Sequence, residues 1–340
     1  MIYGAPILQH QSYSKWLCLS MKRFYLLLQA LRFDNISTRA ERKKIDKLAP
    51  IRDIFEKFQE RCQACYTPSE NCTIDEMLEG VRGRCSFRQY ISSKPNKYGI
   101  KIFALADSRA FYTLKMEIYA GKQPEGPFCI DNSPACVVKR MCEPIWNSGR
   151  NLTCDNWFTS VPLAEDLKKN EITLVGTIRK NKREIPEIFV ATKQRPVCSS
   201  MFAFGRESLL VSYVPKKNKN VLLLSTLHEY DEIDAESGEA CKPAVVTFYN
   251  QTKSGVDSVD QLKSLYSVAR NTCRWLTVFF SIMNIAGING NIIFRTNVLD
   301  SNQPRREYLK NLARQLVTPH MQGRASQNLP FLLRLQIKNS

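Results

Sequence analysis

Apolar residues along the chain change their spacing several times, and each change predicts a change of element. Residues 12–33 place Leu17, Met21, Phe24, Leu28 and Leu31 on one helical face and end in a basic turn. Residues 50–65 repeat the pattern with Ile51, Ile54, Phe55 and Phe58, so the chain opens on helices. After Pro68 the spacing becomes two. Residues 73–119 read as a meander of strands, interrupted by a loop at 92–99 and ending in the alternating run 110–119. A helix over 135–146, a short strand at 151–155 that stops in a polar loop, a helix over 161–169 and a strand over 172–178 follow, which together predict an α/β core. Residues 180–243 loosen into short β runs, 208–213 and 221–225, between basic loops, and read as a β-rich insertion. Beyond Gly255, Val256, Val259, Leu262 and Leu265 return in three-residue steps.

One apolar run, residues 275–294, is about long enough to cross a bilayer. Asn284, Asn289 and Asn291 interrupt it and would need partners in hydrocarbon, so a buried or interface helix is expected, and no membrane partner. From Pro304 the tail is basic and partly helical. The organisation expected is a helical segment over 1–72, a core over 73–180 and 244–266, an insertion over 181–243, and a second helical segment over 267–340.

Composition sharpens this picture through charge. Against 32 Asp and Glu the 340 residues carry 49 Lys and Arg, a net +17, which calls for a polyanionic partner. Charge alone does not separate nucleic acid from an anionic membrane surface. The basic clusters 180–183 and 216–219 suit either solvated loop tips or phosphate grips. The first residues lack the basic-then-apolar pattern of a secretory signal, so an intracellular protein is expected. Of twelve cysteines only Cys62 and Cys65 form a C-x-x-C pair, and with just three histidines, His10, His228 and His320, reduced thiols are expected rather than a zinc site.

The chain has no phosphate-binding loop, no G-x-S-x-G and no H-E-x-x-H, so no nucleotide cofactor is expected. Carboxylate-held metal is then the chemistry left for a polynucleotide substrate. Two magnesium ions about 3.5–4 Å apart would serve, one for the attacking oxygen and one for the leaving oxygen. Because Mg²⁺ keeps several waters, a few carboxylates suffice. Spacing alone selects none of the aspartates.

A run of short words does. Thr73-Ile-Asp-Glu76, Arg82-Gly-Arg84, Lys94-Pro-Asn-Lys-Tyr-Gly-Ile-Lys-Ile102, Tyr119-Ala-Gly-Lys122, Asn151-Leu-Thr-Cys-Asp-Asn-Trp-Phe-Thr-Ser160, Gly176-Thr-Ile-Arg-Lys-Asn-Lys-Arg-Glu-Ile-Pro186, Phe248-Tyr-Asn-Gln-Thr-Lys253 and Gly255-Val-Asp-Ser-Val-Asp260 resemble the piggyBac transposase family in the same order. Leu31-Arg-Phe-Asp34 and Asp46-Lys-Leu-Ala-Pro-Ile-Arg52 extend the likeness upstream. Val81 before Arg82 and Leu276 after Trp275 depart from the usual aromatic and proline.

The resemblance implies a ribonuclease H-like α/β core with a β-rich insertion, flanked by helical DNA-binding segments. It assigns metal-binding and catalytic roles to Asp75, Asp155 and Asp257, with Asp260 beside them, holding two Mg²⁺ or Mn²⁺ ions. Singly, Asp75 also fits a solvated strand end, Asp155 a turn residue and Asp257 a first-turn helix residue favoured by the dipole. Candidate DNA contacts are Arg82, Arg84, Lys180, Lys182, Arg183, Lys253, Arg274 and Trp275, while Trp157 and Phe158 are expected in the core. The implied activity is metal-dependent transposition or recombination of double-stranded DNA at TTAA-type targets, by a homodimer, in the nucleus. Water attacks at the element end, and the freed 3′-hydroxyl forms a hairpin and later joins the target. The family's acidic N-terminal region and C-terminal Cys/His-rich module have no counterpart here, so a DNA-binding descendant without transposition is the alternative.

Overall fold

The computed structural model describes residues 19–270, 274–298 and 303–325. Helices α1 (Met21–Ala30), α2 (Arg39–Arg42) and α3 (Arg52–Ala64) precede strands β1 (Asn71–Gly80), β2 (Gln89–Tyr90), β3 (Tyr98–Asp107) and β4 (Thr113–Ile118). Next come α4 (Pro134–Cys142), β5 (Asn151–Cys154), α5 (Val161–Lys168), β6 (Thr173–Thr177) and α6 (Glu187–Val190). The chain continues with β7 (Ser200–Phe204), β8 (Leu209–Lys216), β9 (Lys219–Ser225), α7 (Ala244–Thr252), α8 (Gly255–Leu265), α9 (Arg274–Asn297) and α10 (Arg305–Ala325).

All described strands join one mixed sheet of order β2-β3-β1-β5-β6-β9-β8-β7, with β4 also on β3. β1 runs antiparallel to β3 and parallel to β5, and β5 runs parallel to β6. The strands of the insertion extend this same sheet, because β9 pairs antiparallel with β6. Parallel β1, β5 and β6 send their following loops off a common edge, where α/β folds place their sites.

Side-chain alternation gives the sheet two different faces. Cys72 and Ile74 of β1 and Leu152 and Cys154 of β5 join the core that α4 and α5 cover with Val137, Met141, Leu163 and Leu167. Met77, Ile102 and Ala104 face the opposite way, onto Phe55 of α3, Val256 and Val259 of α8, and Val278 and Ile285 of α9. Asp75 alternates onto this second face. Local signals set the helix ends: Ser160 accepts from the Leu163 amide at 3.4 Å at the start of α5, where Pro162 fits the first turn.

Helix α9 passes a length-and-composition test for a bilayer span over Trp275–Asn297, yet it packs on this second core. Its Asn289 accepts from the Thr113 amide at 3.0 Å and donates to the Thr113 carbonyl at 2.9 Å, covering the start of β4. Asn284 accepts from the Val268 amide at 2.9 Å. The apolar face expected over residues 12–33 is different: residues 12–18 lie outside the described residues, and α1 buries no side chain, with Met21, Phe24, Leu26 and Leu27 exposed. Of the predicted face Met21 and Phe24 are exposed and Leu28 and Leu31 half-buried, so the helical periodicity there is real but adds no fully buried side chain among the described residues.

Candidate active site

Asp75 sits at mid-β1 and Asp155 immediately after β5. The parallel register pairs Ile74 with Cys154, so the two aspartates follow neighbouring residues on adjacent strands. The next part of the site arrives from α7 and α8, which hydroxyl groups fasten to the sheet. Thr73 Oγ1 donates to the Thr252 carbonyl at 2.6 Å, and the Thr153 and Thr252 hydroxyls lie 2.8 Å apart. Gly255, the first residue of α8, then passes so close to β1 that an added Cβ would stand 2.6 Å from Thr73 Oγ1. That close approach carries Asp257, in the first turn of α8, over the strand ends.

Asp75, Asp155 and Asp257 line one cavity of about 280 Å³, together with Tyr249, Lys253 and Ser254. Burial pushes the Asp75 carboxyl up to about 7; the Glu76 amide, donating to it at 2.7 Å, opposes that shift, as does Lys94, while the charges of Glu76 and Asp257 add to it. Asp155 Oδ1 accepts from the Trp157 amide at 2.9 Å, the turn geometry that the sequence alone also allowed. Burial likewise raises the Tyr249 hydroxyl to about 12. The Lys253 ammonium lies 5.5 Å from the centre of the Tyr249 ring.

Asp260 falls one turn beyond Asp257, off the cavity lining. Lys263 Nζ binds its Oδ1 at 2.9 Å, and Lys94 Nζ lies 3.6 Å from its Oδ2 and 3.3 Å from Asp257 Oδ1. The expectation that Asp257 and Asp260 share a helix face therefore agrees with their sharing Lys94. Among the described residues, no three His, Cys, Asp or Glu side chains are close enough to hold one ion directly.

The basic candidates fall in several settings. Arg82 and Arg84 are exposed after β1, Lys180 and Arg183 are exposed after β6 with Lys182 partly covered, and Lys253 is exposed at the cavity. Trp275 packs partly buried, its ring 6.1 Å from Phe87, and Arg274 begins α9. Phe158 is fully buried, and Trp157 stacks on Phe103 at 5.6 Å, both in the core. Sequence reasoning did not single out Lys94, Lys263 or Tyr249 as parts of the site. Each lies inside or beside a quoted word, but only the folded hairpin and helix bring them to the carboxylates.

A family model described as Transposase IS4 matches residues 12–291. PiggyBac transposable element-derived protein 3 from Homo sapiens is 23% identical over 255 residues, which is 71% of this chain and 43% of that protein. The Chimeric ERCC6-PGBD3 protein, also from Homo sapiens, matches with the same identity over 24% of its length. The chain thus spans less than half the length of these curated relatives. A cryo-EM structure of a piggyBac transposase synaptic complex with hairpin DNA matches with a TM-score of 0.89 and 40% identity, over 95% of this chain and 68% of that one.

Proposed function

Because the chain belongs to the transposase IS4 family in its piggyBac form, with that family's ribonuclease H-like α/β core, we propose that it cuts and joins DNA at Asp75, Asp155 and Asp257. The observation that carries this reading is the cavity that the three carboxylates line, where β5 ends beside the middle of β1. The donor set suits Mg²⁺ or Mn²⁺. It is made of hard carboxylate oxygens, one of them raised by burial for want of full counter-charge, and a lysine ammonium already sits between Asp257 and Asp260 as a cation would.

Asp75, Asp155 and Asp257 would hold two ions, with Asp260 supporting them from the next turn. When bound, such a pair supplies activation of the attacking water or 3′-hydroxyl and stabilisation of the leaving oxygen. Lys253 would neutralise a phosphate entering beside Tyr249. Arg82, Arg84, Lys180, Lys182 and Arg183 would grip the backbone of the duplex, with Arg274 at the start of α9. The hairpin DNA in the related synaptic complex supports hairpin formation as a step here, set between hydrolysis at an element end and joining to a TTAA-type target. Two ends processed together would call for a homodimer, and the proposed substrate would call for a nuclear protein.

The test is Mg²⁺-dependent nicking and strand joining on duplex DNA. The parent chain is expected to be active and Asp155→Asn slower by about a hundredfold or more. Equal rates in both would remove Asp155 from the chemistry. DNA binding with no cleavage in either would favour the binding-only descendant.

A further inference from the structure

We propose that Lys94 is a built-in counter-cation of the acidic site, holding Asp257 and Asp260 in the metal-free protein and competing with divalent metal for them. This rests on reading the cavity as a metal centre.

Lys94 lies on the connection between β2 and β3, where a lysine would ordinarily extend into water. Here its side chain is only 17% exposed, and its ammonium stands 3.3 Å from Asp257 and 3.6 Å from Asp260. The connection is shaped to deliver it: the Ile91 amide donates to the Lys97 carbonyl at 2.9 Å, and the Lys94 amide to the Ile91 carbonyl at 3.3 Å. The charges of Asp260, Asp75 and Asp257 all act on this ammonium, so it sits in the field of three of the four acidic residues proposed for the site. A second lysine makes the contrast. Lys263 is buried within α8 and is shared by Glu79 and Asp260, while Ser281 of α9 donates to Glu79 at 2.7 Å, so Lys263 is fixed from several sides. Lys94 comes in on a loop, and among the described residues its ammonium pairs with Asp257 and Asp260, which makes it the exchangeable cation of the two.

A divalent ion bound to Asp257 would stand within a few ångströms of this ammonium and be repelled by it. Metal entry is therefore opposed while Lys94 is seated, and withdrawal of Lys94 releases Asp257, whereas Asp260 keeps its ion pair with Lys263.

The experiment is a Mn²⁺ titration of the whole 340-residue chain without DNA, followed by electron paramagnetic resonance of free Mn²⁺. It compares the parent, Lys94→Met, Lys94→Arg and Asp155→Asn, with thermal unfolding to show that each is folded. Lys94→Met is expected to bind Mn²⁺ about tenfold more tightly than the parent. Lys94→Arg keeps the charge and should stay near the parent. Hydrogen exchange across residues 91–97 should speed up on adding Mn²⁺ to the parent. Unchanged or weaker binding by Lys94→Met, with parent binding that Asp155→Asn removes, overturns the role of Lys94 and leaves the metal centre standing. No Asp155-dependent binding in any protein overturns both.

Discussion

At the end of β3 the Asp107 side chain accepts hydrogen bonds from the Tyr66 hydroxyl at 3.1 Å, the Ser69 amide at 2.6 Å, the Ser69 hydroxyl at 3.0 Å, and the Arg109 and Ala110 amides at 2.8 Å each. Burial alone would raise this carboxyl, but the donors more than offset it and hold it below the ordinary carboxylate value. Asp107→Asn replaces one acceptor oxygen with an NH₂ group facing donors, and is expected to lower unfolding stability by about 1–3 kcal/mol in urea titrations. The sign of the pH effect follows from the depressed folded value. The stabilisation is complete above the unfolded pKa of about 3.9 and is lost as pH falls through the lower folded one. Thermal midpoints of the parent should therefore fall through the acid range below about pH 4, and those of Asp107→Asn should fall less steeply. Asp34 and Asp46, also held low, keep some acid sensitivity in both proteins.

At the scale of elements, the site depends on how closely α8 lies on β1. Gly255→Ala improves intrinsic helix propensity by about 1 kcal/mol. Its new Cβ, however, would meet Thr73 Oγ1 at 2.6 Å and the Ser108 Cα at 3.4 Å, and both neighbours are held by the Thr73–Ser108 hydroxyl contact of 2.7 Å. The clash wins, and a net loss of about 1–3 kcal/mol with weaker Mn²⁺ binding is expected; stability equal to the parent would mean that α8 shifts freely. This close approach also explains what could be read from the chain beforehand. Period-two and period-3.6 spacing gave α3, β5, α5, β6 and α9 nearly to their ends, because each carries enough apolar residues to mark its own face. β7 was not anticipated: its residues are only partly buried and its pattern is faint. α7 was not anticipated as a helix either, since Pro243 starts it without a side-chain cap and its apolar residues do not form a clean stripe. For the site, the ordered words located Asp75, Asp155 and Asp257, which the cavity brings together. They could not show that Asp260 is also met by Lys94, a contact set by the register of a hairpin against a helix distant in sequence, whereas its pair with Lys263 is a local i,i+3 contact within α8.

For the whole molecule, the excess of +17 acquires direction from the sheet. Parallel β1, β5 and β6 release their loops at one edge, and those loops carry Arg82 and Arg84, the Asp155 turn, and the 179–183 cluster. Arg179 Nε donates to Asn156 Oδ1 at 3.3 Å, tying that cluster to the turn that presents Asp155. A polyanion drawn to this edge is therefore drawn to the carboxylates. The cluster at 216–219 forms the tight β8–β9 connection, where Lys216 pairs with Lys219; because β9 runs antiparallel to β6, with Thr177 opposite Leu223, that tip projects from the same edge but one to two strands farther from Asp155 than β6 is. The two clusters should then behave differently in one measurement, the dependence of duplex-DNA affinity on salt. Replacing Lys180, Lys182 and Arg183 together with Gln should reduce the slope of log K against log salt by about 0.9 for each phosphate that is no longer neutralised. The same replacement of Lys216, Lys217 and Lys219 should reduce the slope less, since that tip lies one to two strands farther along the edge from the Asp155 turn than β6 does. Equal reductions from both sets would mean that the duplex lies along the whole edge as far as the β8–β9 tip, with no preference for the part beside the Asp155 turn.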